Sequence, residues 1–96
     1  MNIGKSIKLC RENRQLSQKE LAEKSDISKA HISLIENGKR DPSFTTIEAI
    51  AEVLDIPASI IVFLAAEGEE LAGDLDENDV NRLSELLIKL IENSFE

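Results

Sequence analysis

Eight residues in the stretch "LSQKELAEKSDISKAHISLIENGKR", residues 16–40, have the types and spacing to do recognition chemistry: Gln18, Lys29, Ala30, Ser33, Leu34, Asn37, Lys39 and Arg40. Apart from the apolar Leu34 they are amides, cations and small side chains, the groups that donate to anionic oxygens or allow close approach to a flat edge. A walk of about 100° per residue along the segment from Ser28, with Ile32 and Ile35 directed inward, turns Ala30, Ser33, Leu34 and Asn37 outward. Lys29 sits at the edge of that face, and His31 and Glu36 flank its buried side. A helix that lies in a major groove needs such a face, because bulk would hold it away from the base edges. An ordinary solvated helix surface is the alternative reading of these residues alone. Gln18, Asn37, Lys39 and Arg40 bracket the face, however, and can reach phosphates to hold the helix in register.

The charge distribution supports a polyanionic partner. Residues 1–40 hold 9 basic and 5 acidic side chains, a balance of +4, while residues 41–96 hold 2 basic and 14 acidic, a balance of -12, giving the chain's -8. Local fields decide where a polyanion docks, so the acidic total does not exclude one.

The elements that must position these residues are marked by local chemistry. Ser17 with Glu20 forms a capping box, and Leu16 with Leu21 a hydrophobic staple, so a helix starts at Ser17. The same signals recur with Ser28 as cap and Ile27 against Ile32, giving a second helix to about Asn37, which Gly38 ends. Only Ser25, Asp26 and Ile27 separate the two, the spacing of a helix-turn-helix corner, and Ala22 is small enough to let the helices approach. Ile3, Ile7 and Cys10 mark an earlier helix over residues 3–13. Ser43 caps a fourth whose inward face is Phe44, Ile47, Ile50, Ala51 and Leu54, and Pro57 opens a fifth through about Ala66. Residues 67–76 read as a hinge. A last helix follows with Asp76 as cap, Leu75 and Val80 as staple, and an apolar stripe of Val80, Leu83, Leu87 and Leu90. There is no strand signal, so the class is all-α: a five-helix domain over residues 1–66 and an acidic hinge with an amphipathic helix over 67–96.

Several classes are excluded by composition. No run of ~18 uncharged apolar residues is present to span a membrane. The N-terminus lacks a basic stretch leading into an apolar run and a cleavage site, which predicts a cytoplasmic protein. One cysteine, Cys10, and one histidine, His31, cannot make an internal disulfide or share a metal site at standard spacing. Serine, His31 and an acid lack the strained turn or glycine-rich loop of a catalytic site, so no enzyme, metal or cofactor is expected.

Through "LSQKELAEKSDIS", "HISLIENGKRDPS" and "IEAIAEVLDI" the chain resembles the lambda-repressor-like, Cro-type helix-turn-helix family, the xenobiotic-response-element class, over residues 3–62. The resemblance implies that the helix from Ser28 to Asn37 enters the major groove of double-stranded DNA with Lys29, Ala30, Ser33 and Leu34 near bases. It assigns Gln18, Asn37, Lys39 and Arg40 to the DNA backbone, and pairs Arg11 with Glu36 as a structural bond. Two departures stand out. Asp26 and Asp55 occupy turn positions where the family usually has glycine, which aspartate tolerates better than most residues. Leu34 stands where many relatives carry a polar or basic side chain, which leaves methyl contacts in place of a base hydrogen bond.

The distal apolar stripe must bury itself, either on the fifth helix or against a partner chain. Ile61, Val62, Phe63 and Leu64 are too many for a five-helix core to cover, which favours a dimer interface built from Ile61, Phe63, Leu64, Val80, Leu83, Leu87 and Leu90. The resulting expectation is a homodimeric, autoregulatory repressor that reads a near-palindromic operator. Two rivals share the core: an antitoxin or other protein-binding module whose distal helices hold a partner protein, and an activating controller protein of the restriction-modification type.

Overall fold

The computed structural model describes residues 2–71, with side chains described through Ala66. It contains α1 (Ile3–Asn13), α2 (Gln18–Ser25), α3 (Lys29–Glu36), α4 (Phe44–Leu54) and α5 (Ala58–Leu71), with no strand among the described residues. Four of the five starts are capped by side chains that take up amides the helix leaves unpaired. The Asn2 carboxamide oxygen accepts from the Lys5 amide at 2.8 Å, and the Ser17, Ser28 and Ser43 hydroxyls accept from Glu20, His31 and Thr46 at 3.0, 3.1 and 3.1 Å. The capping box is complete, because the Glu20 carboxylate accepts in turn from the Ser17 amide at 3.1 Å. That bond holds the Glu20 carboxyl below its usual range.

Helix ends follow equally local rules. Asp26 at the end of α2 has φ 61° and Asp55 at the end of α4 has φ 56°, both left-handed, so the two aspartates do adopt the conformation for which glycine is the default. Gly38 follows α3 at φ 75°. Ser25, expected in the corner, is the last residue of α2, which leaves residues 26–28 as the whole connection to α3. Gln15 also takes a positive φ, 58°, in the turn after α1. No glycine or aspartate announces that turn.

The core gathers Ile7 and Cys10 of α1, Leu21 of α2, Ile32 and Ile35 of α3, Ile47, Ile50, Ala51 and Leu54 of α4, Ile56, and Ile61 and Leu64 of α5. Leu16 and Ile27, the outer halves of the two staples, pack half-buried against it, as does Ala22 at the corner. α1 lies against both α3 and α5. On the α3 side a Cβ at Gly4 would overlap the Ile35 carbonyl, so glycine is needed for the two backbones to meet. On the α5 side the buried Ser6 hydroxyl donates to the Ile61 carbonyl at 2.7 Å. Burial pushes the Cys10 thiol up to about 12, which makes it a packing group and not a nucleophile at neutral pH.

Three expectations are corrected. Ile61 and Leu64 are 0% and 2% exposed, because a helix with apolar residues on every side can bury only the i, i+3 pair that faces α1 and α4. They belong to the chain's own core and not to a dimer interface; Val62 and Phe63, at 42% and 44%, face out. Phe44, expected inward, is 64% exposed. It is the first residue of α4, where a side chain leans back past the helix start and not onto the core. Finally, α5 runs on to Leu71, so residues 67–71 of the expected hinge are helical. Val80, Leu83, Leu87 and Leu90, with the expected cap at Asp76, lie outside the described residues.

Candidate nucleic-acid interface

α3 is fixed from below by one charged cluster. The Arg11 guanidinium donates through Nε to Glu36 Oε2 at 2.8 Å and through Nη2 to Glu36 Oε1 at 2.9 Å. It also donates through Nη1 to the Leu16 carbonyl at 2.7 Å. Both residues are buried, and the hydrogen bonds to Glu36 hold the Arg11 guanidinium above its already high range. The expected Arg11–Glu36 pair is therefore present in fork geometry, and it ties α1, the turn before α2 and the end of α3 into one unit. Such a pair orients; its net worth against an apolar substitute is small, while leaving either partner alone is costly.

Gln18 is placed by the same cluster. Its Nε2 donates to Glu36 Oε1 at 3.1 Å, so its side chain turns inward in place of reaching freely into solvent. What Gln18 retains toward an anion is its main-chain amide: it is the first residue of α2, where amides lie outside the helical ladder and the helix end carries partial positive charge.

The remaining groups emerge around α3. Ile32, Ile35 and Glu36 are buried, while Lys29, Ala30 and Asn37 are exposed, Leu34 is 40% exposed and Ser33 and His31 are half-buried. The Asn37 Nδ2 donates to the Ser33 hydroxyl at 3.3 Å, which holds two polar side chains of the outward face together. Past the helix, the Gly38 amide bonds the Ile35 carbonyl at 3.1 Å and the Lys39 amide bonds the Leu34 carbonyl at 2.9 Å. This tight exit places Lys39 and Arg40, both exposed, directly after the end of α3. The Ser43 cap of α4 is legible in the sequence, whereas the exposure of Phe44 and Thr45 behind it is not.

A small, partly apolar outward face on a rigidly seated eight-residue helix, entered through a three-residue corner and left through a basic loop, is the geometry of the helix-turn-helix, and the helix-turn-helix family matches residues 7–61. The chain belongs to the lambda-repressor-like helix-turn-helix family. This family consists of DNA-binding transcription regulators. Among helix-turn-helix relatives, the chain is 35% identical over 97 residues to the immunity repressor protein of Bacillus phage phi105, covering 98% of this chain and 67% of that protein. It is 41% identical over 71 residues to the HTH-type transcriptional repressor RghR of Bacillus subtilis strain 168, covering 73% of this chain and 53% of the relative. It is 38% identical over 76 residues to the HTH-type transcriptional regulator SinR of Bacillus licheniformis, covering 77% of this chain and 67% of the relative. The chain thus spans between about half and two thirds of the length of these curated relatives. No solved structure matches it. Among the described residues no single helix is long and apolar enough to cross a membrane.

Proposed function

We propose that the protein is a sequence-specific transcriptional repressor that binds double-stranded DNA as a homodimer, at a near-palindromic operator beside its own gene. The observation that carries this reading is the division of α3. Its inner side is locked by Ile32, Ile35 and the Arg11–Glu36 pair, and its outer side offers Lys29, Ala30, Ser33 and Leu34 with Lys39 and Arg40 at its exit. A helix so held enters the major groove without losing its own order, and the exit loop supplies phosphate contacts that fix its register. In this reading Asn37, Lys39, Arg40 and the Gln18 main-chain amide contact the DNA backbone.

Dimerisation rests on α5 and on the residues that follow it. Val62 and Phe63 expose an apolar pair, and Val80, Leu83, Leu87 and Leu90 repeat at helical spacing in the sequence. Two copies joined there present two copies of α3, and a symmetric protein reads a symmetric site. Repression follows by occlusion of promoter elements, and three relatives that carry the word repressor in their names support that sign. The acidic charge carried by residues 41–96 repels DNA and so favours its approach to the basic face.

The test is binding of the purified chain to a labelled fragment from upstream of its gene, against excess competitor DNA, over a series of salt concentrations. Competitor-resistant binding that weakens steeply with salt is expected. Equal affinity for the fragment and the competitor would remove the operator, and no binding at low salt would remove DNA as the partner.

A further inference from the structure

Hydrogen-bonded base reading is done mainly by long donors and acceptors: Arg or Lys on guanine, Asn or Gln on adenine, Asp or Glu on cytosine. Of the side chains on the outward face of α3 and at its edge, only Lys29 and Asn37 are of this kind, and Asn37 sits past the last turn with its amide turned onto Ser33. The Ser33 hydroxyl already accepts from Asn37 Nδ2 at 3.3 Å. Ala30 and Leu34 stand four residues apart, one above the other on the same face, and form a short apolar strip. Leu34 is 40% exposed and Ala30 is exposed. The strip is set among cations, with Lys29 beside it and Lys39 and Arg40 after it, while Glu36, the single acid within α3, is buried against Arg11. Methyl groups framed by cations fit a surface that is anionic overall and presents methyl groups of its own. The major groove of DNA does so at one base, thymine, through its C5 methyl.

We propose that Leu34, with Ala30 below it, is the specificity-determining residue of the helix, and that it selects a thymine by packing on the C5 methyl at the position the middle of α3 covers. This rests on the DNA-binding reading above and adds to it the base that is read and the means of reading. Hydrogen-bonded discrimination is then left to Lys29 and to the free hydrogen of the Ser33 hydroxyl. A transferred methyl contact is worth about fourfold in affinity, so the site is read with shallow preference at this position.

The full chain is used to select duplexes from a randomised pool, and each thymine of the selected site is then replaced in turn by deoxyuridine, which removes the methyl and keeps the pairing. The Kd is expected to rise about fourfold at one thymine and at its symmetry mate. Leu34→Ala, whose helix content should match wild type because the side chain is largely exposed, is expected to bind more weakly and to show no further loss at that thymine. A selected site with no methyl-sensitive thymine overturns the proposal, as does the same deoxyuridine penalty in Leu34→Ala. A pool from which no duplex is enriched rejects the DNA-binding reading itself, an outcome distinct from either.

Discussion

α3 and α5 both show solvent an apolar side chain, yet their surroundings differ. Leu34 of α3 is bordered by Lys29, Lys39 and Arg40, and the acid of that helix is buried. Val62 and Phe63 of α5 belong to a helix with no basic residue along its length and three glutamates toward its end. The same degree of exposure therefore fits opposite partners: cations around one leucine suit a polyanion, whereas an unframed Val–Phe pair suits another protein surface. α3 is also seated by a charged fork, while α5 is seated by apolar contacts and one hydroxyl bond. Two kinds of anchorage should respond differently to substitution.

The largest effect is expected at the fork. Glu36→Ala leaves the Arg11 guanidinium buried without its partner and should cost about 3–5 kcal/mol in chemical denaturation. Arg11→Met with Glu36→Leu should recover much of that loss, because the desolvation penalty goes with the charges. If Glu36→Ala unfolds at the wild-type midpoint, α3 is not held by this pair and the contrast with α5 collapses.

On α5 the comparison is sharpened by neighbours. Ile61→Ala should cost about 2–5 kcal/mol, as for other buried aliphatic truncations, while Phe63→Ala should move stability by no more than about 0.5 kcal/mol. Sedimentation should then show that Phe63→Ala associates less and Ile61→Ala is merely less stable. Similar stability losses for both would place Phe63 in the core.

At the exit of α3 the effects are smaller and specific to binding. Lys39→Ala and Arg40→Ala should each weaken binding to all sequences and flatten the slope of log K against log salt by roughly one unit. An unchanged slope would take that residue out of the interface.

The last effect is a pH dependence that vanishes at neutral pH and is seen only in alkali. The buried Cys10 thiol has its pKa raised from 9.0 to about 12, so the folded chain keeps its proton where the unfolded chain loses it. The associated stability is complete below pH 9 and falls as pH rises toward 12. Denaturation midpoints of wild type and Cys10→Ala should run parallel below pH 9 and converge above it. Parallel curves through pH 11 would mean the thiol is open to solvent.

Helix starts were legible because their causes are local: Ser17, Ser28 and Ser43 each act on an amide three residues away. Asp26 was legible as part of the three-residue corner, whereas Asp55 came as a turn only through the family resemblance. The Arg11–Glu36 fork spans 25 residues and came only through family resemblance, and Gln18 joining it came from neither. Orientation within α5 was illegible because Ile60, Ile61, Val62, Phe63 and Leu64 run without a polar residue to mark the outer side. The Gly4 approach to Ile35 is likewise a fact about two helices and leaves no trace in either alone.

α1 carries none of the proposed DNA contacts, yet it is wedged between α3 and α5, against the Ile35 carbonyl through Gly4 and under the Ile61 carbonyl through Ser6. It acts as a spacer of one helix diameter. Whatever α5 grips, including a second copy of the chain, is thereby held at a fixed offset from the reading helix. The separation of two half-sites would then be a length moulded into the protein, and an operator with one base pair added at its centre would be out of measure.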